Sequence, residues 1–227
     1  MIKNDLAKML LTRVGTVVPG DFITSLDGGL NYLETGRWLK QASLSIPTRV
    51  KRREEVFDII AGRIADRRVL YLEFGVLRGA SLHYWSKALR NPDAALHAFD
   101  KFEGLPEGWG LSTPKGTFST GGRLPEIDDP RVQFFVGWFS DTLPKYELPP
   151  HDELVINVDS DLYSSAKTIL DVLRPHIHLG SFIYFDEYSD RMNEQRAFRE
   201  YLAATGQRFE VVAATRALRH LAFRRVA

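Results

Sequence analysis

From Val69 onward, short apolar runs that stop at an acid or a glycine alternate with stretches of helical periodicity, and that alternation constrains the chain more than any other feature. The runs cover residues 69–75, 95–100, 132–136, 154–159 and 182–186, and helical spacing is read over 81–89, 163–173 and 194–204. Parallel pairing needs a crossover between consecutive strands, so this order predicts an α/β fold with a doubly wound, mostly parallel sheet. Two final runs, 209–213 and 220–226, are joined by too few residues for a crossover helix and must form an antiparallel hairpin.

Up to Arg68 the texture is different. Val56, Ile59, Ile60 and Ile64 repeat at helical spacing, residues 30–39 do the same, and Pro47 separates the two stretches. Residues 1–68 are therefore expected to form an N-terminal helical appendage, and residues 69–227 the main domain. Residues 1–20 interleave Lys3, Asp5, Lys8 and Arg13 with Leu6, Met9, Leu10 and Leu11, which predicts an amphipathic helix and not a signal peptide. No apolar run approaches the ~20 residues needed to cross a bilayer. The expectation is a soluble, cytoplasmic protein with no membrane partner.

Composition narrows the chemistry. Lys+Arg 30 against Asp+Glu 29 gives a formal net charge of +1, too little to hold a polyanion through charge, so nucleic acid is not expected as a partner. With no cysteine, disulfides, thiolate metal sites and cysteine nucleophiles are excluded, and any metal must sit on oxygen or imidazole.

Three constellations could carry a reaction. In the first, Glu73-Phe74-Gly75-Val76-Leu77-Arg78-Gly79-Ala80-Ser81 sets an acid at a strand end, followed by glycines where the chain turns into a helix. Such a turn lets the backbone approach a ligand closely, though a plain β–α turn would use the same residues. In the second, Asp100 closes the next strand, where a fold of this kind accepts hydrogen bonds from ribose hydroxyls. Val76-Leu77-Arg78 fills the place of the close glycine that admits a pyrophosphate, which disfavours NAD. In the third, Asp159 and Asp186 each end a strand. If those strands are neighbours, two carboxylates lie ~5 Å apart and call for a cation such as Mg²⁺ between them, while Asp161 could instead cap a helix.

The acid-x-Gly-x-x-x-Gly turn, the later ribose acid and the closing hairpin resemble the class I S-adenosylmethionine-dependent methyltransferases, with their Rossmann-like sheet. Four ordered motifs sharpen this: Phe102-Glu103-Gly104-Leu105-Pro106, Gly137-Trp138-Phe139-Ser140-Asp141-Thr142-Leu143-Pro144, Asp159-Ser160-Asp161-Leu162-Tyr163-Ser164 and Asp186-Glu187-Tyr188. Together they are similar to those of the macrocin O-methyltransferase family. The resemblance implies a Mg²⁺-dependent enzyme that methylates a hydroxyl of a small-molecule acceptor, a sugar of a glycosylated natural product. It implies that Glu73 holds the methionine amino group, that Gly75, Gly79 and Ser81 line the cofactor, and that Asp100 binds ribose. Ser140 and Asp141 would lie by the adenine. Asp159, Asp186 and Glu187 would hold the metal, with Asp159 also catalytic. Glu187 departs from the family's usual Asp-Asp-Tyr by one methylene. The N-terminal region is where family members build part of the substrate pocket or a homo-oligomer interface.

Two rival readings remain open at this point. One takes Asp159-Ser160-Asp161 as the metal–diphosphate motif of a nucleotide-sugar glycosyltransferase. The other is a non-catalytic cofactor-binding module. Residues 101–130, with six glycines between Gly104 and Gly122, fit no element and are expected to form a functional lid or insert. Trp109 and Phe118 within them could close over a substrate or anchor the loop. Trp85 is expected in the core, His176, His178, His151 and His220 at packed or surface positions, and Arg216, Arg219, Arg224 and Arg225 on a solvated face.

Overall fold

The computed structural model describes residues 4–110 and 113–227. Residues 1–3, the start of the expected N-terminal helix, and residues 111–112 of the 101–130 loop lie outside the described residues. The chain divides into two compact units, Met1–Ala42 and Ser43–Ala227. In the first, α1 (Asp5–Gly15) starts at Asn4, whose side chain accepts the Leu6 N–H, and buries none of its residues. Pro19 caps α2 (Gly20–Gln41), in which Thr35, Trp38 and Leu39 are buried. Among the described residues no helix is long and apolar enough to cross a membrane.

The second unit is built on an eight-stranded sheet. In chain order its elements are β1 (Arg49–Val50), α3 (Arg53–Ile64), β2 (Val69–Phe74), α4 (Ala80–Ala88), β3 (Ala95–Asp100), β4 (Val132–Val136) and the short α5 (Phe139–Thr142). They continue with β5 (Glu153–Val158), α6 (Tyr163–Leu173), β6 (Phe182–Phe185), α7 (Glu194–Thr205), β7 (Phe209–Thr215) and β8 (Leu221–Arg225). The strand order is β1-β7-β8-β6-β5-β2-β3-β4, parallel except where β8 runs antiparallel to β6 and β7. The expected mostly parallel sheet with a closing hairpin is therefore what the chain forms.

Every residue of β2 is buried, as expected for a strand paired on both edges and covered on both faces. Its alternate side chains serve two layers. Tyr71 stacks on Trp85 of α4 at 5.0 Å, and Phe57 of α3 meets Tyr184 of β6 at 4.8 Å on that same side. On the other side Phe185 of β6 packs on Phe198 of α7 at 5.1 Å. Trp85 is in the core, as its position on α4 suggested.

Residues 43–68 do not stand apart from this sheet. Arg49 and Val50 pair with Ala214 and Thr215 of β7, and Val56, Phe57, Ile60 and Ile64 are core residues of the sheet's own cluster. The helical appendage read over residues 1–68 is thus a separate unit only as far as Ala42. A two-residue strand is too short to show a period of two, which is why the sequence concealed it.

The chain runs from β2 outward through β3 to β4, then returns to the other edge of β2 with β5 and continues to β6. Strand order reverses between β2 and β5, and the crevice beyond the strand ends at that point is where open α/β sheets take ligands.

Candidate active site

Gly75 follows β2 with φ +91°, and a Cβ there would stand 1.8 Å from the Asp159 carbonyl oxygen beyond β5. The two loops therefore touch at the switch point, and glycine is demanded by the protein's own backbone. Gly79, at φ +74°, precedes α4, and a Cβ there would press on Pro125 and Ile127 at 3.0–3.2 Å. The turn between them is held by Asp100. Its Oδ2 accepts the Val76 and Leu77 N–H groups at 2.8 and 3.0 Å, and its Oδ1 accepts the Phe102 N–H at 2.7 Å. Leu77 and Phe102 are left-handed non-glycine residues, at φ +51° and +61°. The carboxylate thus holds two strained positions in place.

Above this turn lies a cavity of about 680 Å³, a size that accommodates a cofactor-sized ligand. Of the residues singled out from the sequence, Gly75, Asp100, Ser140, Asp159, Asp186 and Glu187 line it. Glu73 is buried behind the wall, where its carboxylate accepts the Tyr71 hydroxyl at 2.7 Å, and burial pushes its carboxyl up to about 8. Ser81 is buried in α4, and Asp141 is exposed and accepts the Ser140 hydroxyl.

Asp159 and Asp186 immediately follow Val158 and Phe185, which are paired neighbours on β5 and β6, so the expected juxtaposition of the two acids is met. Between them stands Arg53, the first residue of α3, with its Nη1 3.4 Å from Asp186 and 3.8 Å from Asp159. Asp186 also accepts the Tyr184 hydroxyl at 2.8 Å and faces His220 Nε2 at 3.5 Å. Burial, and then repulsion from Asp186, hold the Asp159 carboxyl well above the usual carboxylate range. Burial also raises Asp161 to about 6 and Glu187 to about 7, the latter against the opposing pull of Arg219. Arg219 is exposed, as expected, but it is also ion-paired to Glu187 and borders the cavity from the turn between β7 and β8.

The loop of residues 101–130 borders the same space. Gly104, Leu105, Pro106, Trp109, Lys115 and Phe118 line the cavity, and the loop is tied across it by two side-chain bonds. Trp109 Nε1 donates to Asp190 at 3.0 Å, and Ser164 donates to Glu107 at 2.6 Å. Trp109 therefore anchors the loop, one of the two roles expected for it, and borders the cavity.

Magnesium takes oxygen ligands, and the donors here are carboxylates in excess of the arginines that face them, so the site suits a hard cation in kind. Two of the three expected ligands already share one positive group, Arg53, while Glu187 is turned to Arg219. As they stand, no three His, Cys, Asp or Glu side chains among the described residues are arranged to hold a metal ion. Arg53, Arg219 and Glu194 were missed in the sequence. Arg53 lies 133 positions from its partner Asp186, and no local pattern announces such a contact.

A cavity at the switch point of a parallel sheet closed by an antiparallel hairpin is the architecture of the class I methyltransferases. The fold is theirs: the chain superposes on a solved structure described as CalS11, calicheamicin methyltransferase, with TM-score 0.58 and 21% identity over 76% of each chain. Residues 111–213 match the family described as Macrocin-O-methyltransferase (TylF), which bears out the resemblance read from the four motifs. Two curated relatives are similar over part of their length. A tetracenomycin 4'-O-methyltransferase that acts at a rhamnosyl group, from Streptomyces olivaceus, is 32% identical over 142 residues, 52% of each chain. Demethyldecarbamoylnovobiocin O-methyltransferase from Streptomyces niveus is 28% identical over 172 residues, 64% of this chain and 63% of the relative. The matches thus span between half and two thirds of these relatives.

Proposed function

We propose that the protein is an S-adenosylmethionine-dependent O-methyltransferase acting on a sugar hydroxyl of a glycosylated small molecule, and that it uses Mg²⁺. The observation that carries this reading is the contact at the switch point, where the glycine turn pinned by Asp100 abuts the backbone of Asp159. A cofactor lying on that turn and a hydroxyl facing Asp159 would share one cavity. The names of the similar proteins, both O-methyltransferases and one of them of a rhamnosyl-bearing compound, support the acceptor class.

S-Adenosylmethionine would supply a methyl group activated on a sulfonium, and Mg²⁺, held by Asp159, Asp186 and Glu187, would lower the proton affinity of the acceptor hydroxyl. Ribose would add to the hydrogen bonds at Asp100, the adenine would lie near Ser140, and Glu73 would draw the methionine amino group from behind the cavity wall. Asp159 borders the cavity beside Asp186 and would take the hydroxyl proton as the new C–O bond forms and the S–C bond breaks. The walls that hold both reactants in line supply the orientation that such a displacement needs. The 101–130 loop, latched through Trp109 and Glu107, keeps water from the transferring group.

Calorimetry with S-adenosylhomocysteine and with a UDP-sugar tests the reading. Binding of the first at one site per chain and none of the second is expected. The opposite pattern would replace the methyltransferase reading with a glycosyltransferase.

A further inference from the structure

Glu194 opens α7 and is fully buried, and its side chain reaches back to the loops beyond β5 and β6. Its Oε1 accepts the N–H groups of Ser160 and Asp161 at 3.1 and 3.2 Å, and its Oε2 accepts the Glu187 N–H at 3.0 Å. These three donors lie just beyond the ends of β5 and β6, where the strand ladders stop supplying partners. They belong to the two segments that carry Asp159 and Asp186. Asp161 is at φ +60°, a left-handed position that a non-glycine residue keeps only when its surroundings fix it. Asn193, the residue before α7, accepts the Tyr163 N–H at the start of α6 at 2.9 Å, so two consecutive side chains hold the stretch from β5 to α6.

We infer that Glu194 is a positioning residue that clamps the two acid-bearing loops at a fixed separation, so that Asp159 and Asp186 stay side by side on the cavity wall with Arg53 between them. This rests on the proposed reading of that cavity as the site of methyl transfer. The choice of glutamate follows from donor counting. Three N–H groups converge on two oxygens, and only a carboxylate presents acceptors on both sides. A glutamine keeps one oxygen, so its amide nitrogen must face an N–H on the other side and one loop is released.

The test is Glu194→Gln in the full chain, read by amide hydrogen exchange and by steady-state kinetics. Exchange at Ser160, Asp161 or Glu187 should rise while that of β5 and β6 stays unchanged. The kcat for methyl transfer should fall about 10- to 100-fold, the range for lost support of ligating or catalytic groups, with S-adenosylhomocysteine affinity within about twofold of wild type. Unchanged exchange at all three amides, or an unchanged kcat in the folded variant, would overturn the inference. If Glu194→Gln does not fold, Glu194→Asp, which keeps the charge and shortens the reach, takes its place, and failure of both to fold would assign Glu194 to the fold alone. A wild type that transfers no methyl group would refute the proposed function, and the exchange pattern would still decide whether the clamp exists.

Discussion

Asp100 is the residue on which the turn and the cofactor site depend together, and Asp100→Asn separates the two roles. The native carboxylate accepts three backbone N–H groups, two of them from the left-handed residues Leu77 and Phe102. An asparagine that keeps its oxygen toward Val76 and Leu77 turns its amide nitrogen on the Phe102 N–H. One charge-assisted bond is lost, a contribution of about 1.5–3 kcal/mol, and two others weaken to neutral bonds by about 1 kcal/mol each. Asp100 borders the cavity, so water replaces part of the loss, and the expected cost to the cofactor-free protein is about 2 kcal/mol. The assay is urea unfolding without ligand, paired with calorimetry for S-adenosylhomocysteine, whose affinity should fall more than about tenfold. Stability within about 0.5 kcal/mol of wild type would mean that Asp100 does not hold the turn and serves the ribose alone.

Three further outcomes are expected. Gly75→Ala forces a Cβ onto the Asp159 carbonyl in a left-handed backbone, so it should cost at least about 3 kcal/mol and lower the melting temperature by at least about 6 °C, and a near-native melting temperature would contradict the contact. Burial raises the Glu73 carboxyl to about 8, so the native state binds its proton more tightly than the unfolded chain and stability falls as pH rises from about 4.5 to about 8. Glu73→Gln should flatten that decline in urea midpoints measured across the interval, and equal slopes would argue against it. Excess chelator should abolish turnover while leaving the fold intact, and Glu187→Asp should retain Mg²⁺-dependent turnover. Full activity in chelator would remove the metal from the proposal.

The sequence disclosed whatever is encoded locally. The bounds of β3 and α6 are those read from the apolar runs, because a strand stopping at Asp100 and a helix with one apolar stripe are visible within a dozen residues. The strand-end positions of Asp159 and Asp186 were legible, and the direct pairing of β5 with β6, which the sequence left conditional, brings them together. What stayed hidden depends on distant partners. Arg53 reads as an ordinary charge at the start of an amphipathic helix, and only the packing of α3 on the sheet carries it between two acids. Glu194 reads as a first-turn acid of a helix, a common place for one, and its bonds to the loops appear only in three dimensions. Arg219 alternates with Leu218 and Leu221 as a solvated strand residue would, but it sits in the turn before β8, where alternation no longer sets direction.

The central claim is that this cavity transfers a methyl group from S-adenosylmethionine to a sugar hydroxyl. Incubation with S-adenosylmethionine labelled at the methyl carbon, Mg²⁺ and a panel of deoxysugar glycosides and catechol-like phenols measures it directly. Label is expected in an O-methyl group on the sugar of at least one glycoside, with an equal amount of S-adenosylhomocysteine, and loss of both in Asp159→Asn. Label that enters only the phenols would contradict the acceptor class. A protein that binds S-adenosylhomocysteine yet labels neither set, or transfer that survives in Asp159→Asn at the wild-type rate, would contradict the role given to the site.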